Sequence, residues 1–125
     1  MARILVIDDD PELRAMLEQT LKTAGYEVVL AADGREGVVR QGTSPADLVI
    51  TDIYMPHQDG LETIREFRRR FPKVSIIAMS GRALAVTMLS IAEDLGAVAV
   101  LHKPFAAEEL IAAVTKALGG QSPAQ

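Results

Sequence analysis

Four apolar runs in this chain each end on a side chain able to do chemistry. Arg3–Ile7 runs into Asp8 and Asp9, Leu48–Thr51 into Asp52, Val74–Met79 into Ser80, and Ala97–Leu101 into His102 and Lys103. Carboxylates can hold a hard cation or attack an electrophile, a hydroxyl can donate to an anionic oxygen, and an ammonium can neutralise either. If the runs are neighbouring strands, three carboxylates gather in one small volume. Two unit charges about 4 Å apart repel by roughly 4 kcal/mol at an effective dielectric of 20, so such a cluster needs a neutraliser. Lys103 is one candidate. A divalent cation with oxygen ligands is the other, and Mg²⁺ fits best because it accepts a few carboxylates and keeps several waters. There is no cysteine, and His57 and His102 read as surface or strand-flank residues, so thiolate or imidazole metal chemistry is not expected.

The elements that must position these groups are legible in the same pattern. Five short apolar runs, the fifth being Glu27–Ala31, alternate with stretches of helical spacing. Leu13, Met16, Leu17 and Leu21 mark the first such stretch, Leu61, Ile64, Phe67 and Phe71 the third, and Leu110, Ile111, Val114 and Leu118 the last. Asp10-Pro11 is an N-cap followed by proline in the first turn, and Gly25 stands where a helix ends. Asp33-Gly34 opens the second helix, Gly60 the third, Gly96 closes the fourth, and Lys103-Pro104 leads into the fifth. Five βα units in series predict a flavodoxin-like, doubly wound α/β fold: a parallel sheet of order 2-1-3-4-5 with helices on both faces. Ligands of such sheets bind beyond the carboxyl ends of the strands, where the polar residues stand.

Composition narrows the class. The 125 residues suffice for one domain, 49% are apolar, and only 4% are aromatic, so the core is built from aliphatic side chains. No run is long enough for a membrane span or signal peptide, and a cytoplasmic location is expected. A net charge of −4 argues against a nucleic-acid surface, and Arg65, Arg68, Arg69 and Arg70 read as the solvated end of a helix.

The segments "ILVIDDD", "VITDIYMPHQDG", "IIAMSG" and "HKPF", in this order, resemble the receiver domain of two-component response regulators, of the single-domain, chemotaxis-receiver-like kind. The resemblance gives a receiver domain over residues 1–119 and a tail over 120–125 that is expected to be disordered. It implies that Asp52 is the phosphoacceptor nucleophile and that Asp8, Asp9, Asp52 and the backbone carbonyl of Tyr54 hold Mg²⁺. Ser80 would hydrogen-bond the phosphoryl oxygens and Lys103 would neutralise them, with Lys103-Pro104 a cis peptide. A histidine kinase or histidine phosphotransfer protein would be the donor. The chain would not be an enzyme with free substrate turnover, only a self-catalysed acceptor that slowly loses its phosphoryl group.

Three departures from the family pattern bear on output. Val100 replaces the aromatic residue that usually reports phosphorylation. Tyr54 and Arg82 flank the site with bulk, which predicts a long-lived phosphoryl form. In the fourth helix Leu84, Met88, Ile91 and Leu95 can face the sheet, leaving Ala85, Val86 and Leu89 off that stripe. Docking of a downstream protein or a second copy on the surface of the fourth helix, fifth strand and fifth helix is therefore expected. Three rivals compete. A haloacid-dehalogenase-like phosphatase would use Asp8 as nucleophile, but Glu12 breaks its motif. A flavin carrier shares the fold, but the three acids would repel its phosphate. A pseudo-receiver would dock without phosphorylation, although the full set of site residues is present.

Overall fold

Each apolar run becomes a strand in a computed structural model of the chain, which describes residues 2–55, 58–81, 90 and 92–119. The strands are β1 (Arg3–Ile7), β2 (Glu27–Ala31), β3 (Leu48–Asp52), β4 (Ser75–Ser80) and β5 (Ala99–His102). They form one parallel sheet in the order β2-β1-β3-β4-β5, as the sequence predicts. The helices are α1 (Pro11–Thr23), α2 (Gly34–Thr43), α3 (Gly60–Arg70), a helical segment whose last residues are 92–94 (α4), and α5 (Ala107–Ala117). Among the described residues, no helix is long and apolar enough to cross a membrane.

Strand pleating divides the core in two. Ile4, Val6, Leu48, Ile50, Ile77 and Met79 point to one face, under Leu17 and Leu21 of α1 and Leu110 and Val114 of α5. Leu5, Ile7, Val49, Ile76 and Ala78 point to the other, under Ile64 and Phe67 of α3, Ala92 of α4 and Val38 of α2. Burial on both faces is why the strands read as continuous apolar runs rather than alternating ones. Helix α2 lies so close to β1 that a Cβ on Gly37 would stand 2.4 Å from Ile7 Cδ1.

The predicted punctuation holds at the helix ends. Asp10 Oδ1 accepts from the amides of Glu12 at 3.0 Å and Leu13 at 3.4 Å, capping α1. Asp33 Oδ1 accepts from the Glu36 amide at 2.8 Å, capping α2. Gly25 and Gly96 adopt φ of 100° and 115°, the left-handed region where a side chain is strained.

Three features differ from the sequence reading. Met16 is 48% exposed: the stripe that reaches the core is Leu13, Leu17 and Leu21, and Met16 stands at its edge. Arg68 is not solvated like its neighbours. Its guanidinium donates to Pro72 O at 2.9 Å and to Val74 O, and its stem covers Gly96. Arg65, Arg69 and Arg70 do face solvent, paired with Glu62 or Glu66. Beyond β3, the expected turn contains a two-residue antiparallel ladder joining Tyr54–Met55 to Gln58–Asp59. Pro56, His57, Arg82, Leu84, Ala85, Val86, Met88, Leu89, Ile91 and the tail from 120 lie outside the described residues.

Candidate functional site

Strands β1 and β3 are neighbours in register, Ile7 lying beside Thr51, so the residues that follow them emerge together. The pleat decides which side they take. Asp8 continues the parity of Ile4 and Val6, and Asp52 that of Leu48 and Ile50, so both carboxylates lie toward the α1 and α5 face. Asp8 is 0% and Asp52 5% exposed, whereas Asp9 is exposed. One carboxylate oxygen from each of Asp8, Asp9 and Asp52 falls within 4.8 Å of the other two.

Lys103 reaches this group from the loop after β5. Its Nζ donates to Asp8 Oδ2 at 2.9 Å and to Asp52 Oδ2 at 2.8 Å. Its own amide donates to Ser80 O at 3.0 Å, and the Lys103-Pro104 peptide is cis, as the resemblance implies. Gly81 leaves room for the lysine stem: a Cβ there would lie 3.0 Å from Lys103 Cβ.

Burial pushes the Asp8 carboxyl up, and the charge of Asp52 adds to that; the Asp10 amide and Lys103 oppose it without cancelling it. For Lys103, burial pulls the ammonium down, but the hydrogen bonds and charges of Asp52 and Asp8 outweigh it, so its pKa is raised. The lysine therefore stays charged. One ammonium does not balance three carboxylates, and all the donor atoms are hard oxygens at close range. That donor set suits Mg²⁺.

Ser80 ends β4 beside β3 and is buried. It carries the parity of Ile76 and Ala78, so alternation brings it to the edge from the α3 side, opposite Lys103. Tyr54 follows Asp52 by two residues and opens the short ladder. His102 is exposed and makes no part of the cluster, and Asp10 serves as the helix cap. Val100 is half-buried against the α3-side core.

One participant escapes the sequence reading. Arg14 Nη1 donates to the main-chain oxygen of Asp8 at 2.6 Å. Its only signal is position, four residues after Asp10, one turn into the helix that follows the acidic run.

The sequence profile described as the response regulator receiver domain matches residues 4–115. The chain belongs to the response regulator receiver family. It is 39% identical over 121 residues to the response regulator MprA of Mycolicibacterium vanbaalenii, covering 97% of this chain and 52% of that one. It thus spans about half the length of the MprA regulators it matches. Among solved structures, the chemotaxis protein CheY4 of Vibrio cholerae is 32% identical with a TM-score of 0.88, over 94% of this chain and 99% of that one. The response regulator TrrA of Thermotoga maritima, solved in complex with Mg²⁺-BeF, is 35% identical with a TM-score of 0.85, over 94% of this receiver and 100% of TrrA.

Proposed function

We propose that this receiver is a phosphorylation-activated switch of a two-component or phosphorelay system, with Asp52 as phosphoacceptor. A carboxylate oxygen of Asp52 attacks the phosphorus of a phosphohistidine on a histidine kinase or histidine phosphotransfer protein. The P–O bond forms as the P–N bond breaks, leaving an acyl phosphate on Asp52 and returning the electron pair to the donor's imidazole. Lys103 and Ser80 face the phosphoryl oxygens, as phosphoryl transfer needs charge neutralisation and alignment above all. Mg²⁺, held by Asp8, Asp9, Asp52 and the Tyr54 carbonyl, would neutralise charge on the transferred group. The observation that carries this reading is the Lys103 ammonium bridging two buried carboxylates, with the Asp9 carboxylate close by.

The protein turns over no free substrate in this reading; it takes one phosphoryl group and loses it slowly by hydrolysis. The domain occupies residues 1–119 and works in the cytoplasm beside its donor. Output passes through α4, β5 and α5 to a downstream protein or a second copy. Val98, 57% exposed just before β5, supports that surface.

Mass spectrometry after treatment with acetyl phosphate and Mg²⁺ tests the reading. A phosphoryl mass increment on Asp52, absent from Asp52→Asn, is the expected result. An increment on Asp8 instead would favour the phosphatase chemistry, and no increment would favour a pseudo-receiver.

A further inference from the structure

We infer that Arg14 is a positioning residue for the cation site, setting where the Asp9 carboxylate stands; this rests on the Mg²⁺ site proposed above. Among the described residues no hydrogen bond or ion pair holds the Asp9 side chain, which is exposed. With no partner to hold it, the direction from which its carboxylate reaches toward Asp8 and Asp52 is set by its backbone. That backbone is fixed on both sides. The carbonyl before it, Asp8 O, accepts from Arg14 Nη1 at 2.6 Å, and the amide after it, Asp10 N, donates to Asp8 Oδ1 at 2.8 Å.

Arg14 is the outer anchor of this pair and is itself fixed by its helix. Its amide donates to Asp10 O at 3.0 Å, the first turn of α1, and that turn is capped by the Asp10 side chain. The chain from Asp8 to Arg14 thus forms a closed loop, joined at one end by a side chain reaching back to a carbonyl. Cutting the Arg14 bond frees the Asp8–Asp9 peptide to rotate and lets the Asp9 carboxylate move away from its partners. The Asp8 and Asp52 carboxylates stay in place, held by Lys103.

The sign of the effect separates this role from a simple charge effect. A guanidinium beside a cation site repels the cation, so if Arg14 acted by charge alone its removal would tighten Mg²⁺ binding. Positioning predicts the reverse. Groups that orient metal ligands typically contribute about 10- to 100-fold in metal affinity.

The test is calorimetric titration of the metal-free protein with MgCl₂ for wild type, Arg14→Met, Arg14→Gln and Arg14→Lys. The expected result is a Kd for Arg14→Met and Arg14→Gln raised on the order of tenfold, with Arg14→Lys recovering part of the loss because one ammonium can still donate to the carbonyl. In the same samples, hydrogen exchange at the Asp10 amide is expected to quicken without Mg²⁺. The phosphorylation rate with acetyl phosphate is expected to recover at saturating Mg²⁺, which general loss of structure would not produce. Having two uncharged variants guards against one of them folding poorly. Equal or tighter binding by the uncharged variants, with wild type binding normally, overturns the role of Arg14 and leaves the metal site standing. A wild type that takes up no Mg²⁺ overturns both.

Discussion

Lys103 donates to Asp52 Oδ2 at 2.8 Å across a sequence separation of 51 residues, and the same ammonium holds Asp8. Both acids are almost wholly removed from solvent. Removing the lysine leaves two buried like charges facing each other. Lys103→Met is expected to destabilise the metal-free protein at pH 7 by on the order of 2–3 kcal/mol, less than for a fully buried pair because the ammonium keeps some contact with water. Urea unfolding with and without Mg²⁺ checks this, and the deficit is expected to shrink when the cation is added.

Asp8 makes an opposite prediction. Its carboxyl titrates above the ordinary value when folded, burial being the main cause. The native state therefore binds this proton more tightly than the unfolded chain does. Its ionisation costs stability as pH rises from 3.8 through the raised native value, and the cost is complete above that. Lys103, also raised, behaves oppositely: its contribution is complete below 10.5 and is lost as pH rises through its native value. Asp8→Asn keeps an acceptor for the Asp10 amide but carries no charge. In EDTA at pH 7 it is expected to unfold at higher urea than wild type, and to gain less from added Mg²⁺.

The contact between α2 and β1 gives a packing prediction. A Cβ on Gly37 would meet Ile7 Cδ1 at 2.4 Å and Cγ1 at 2.9 Å. Gly37→Ala is expected to cost about 1–3 kcal/mol from overpacking. Ile7→Val removes the nearer atom, so the double variant should lose less than the sum of the singles in urea midpoints.

Arg68 and Gly96 form a second coupled pair. The glycine has φ of 115°, and a Cβ on it would lie 2.9 Å from Arg68 Cδ. Gly96→Ala is expected to destabilise by about 1–3 kcal/mol through backbone strain. Arg68→Met leaves the Pro72 and Val74 carbonyls without their guanidinium and is expected to cost about 1–2 kcal/mol. Thermal melts of both singles and the double should show sub-additive losses, because a side chain no longer anchored to the Pro72 and Val74 carbonyls can swing away from the added Cβ.

The strands, their order and the residues at their carboxyl ends were legible because burial on both faces writes itself as unbroken aliphatic runs, and a parallel sheet aligns those ends. Asp10 and Asp33 were legible as caps because capping is local, spanning two or three residues. Side chains that reach distant main-chain oxygens were not. Arg14 and Arg68 look like ordinary helix-surface cations, and only the fold determines that carbonyls of Asp8, Pro72 and Val74 lie within their reach. Met16 is a related case. Spacing of three and four marks a stripe, but its width depends on how α1 is rotated against the sheet.

The proposed nucleophile is carried by β3, the middle strand of five, with β2 and β5 at the margins. Local opening of a folded chain begins where fewest neighbours restrain it. Fraying at either margin can therefore leave Asp52 on its mount, and amide exchange is expected to be slowest along the strand that carries the proposed phosphoacceptor.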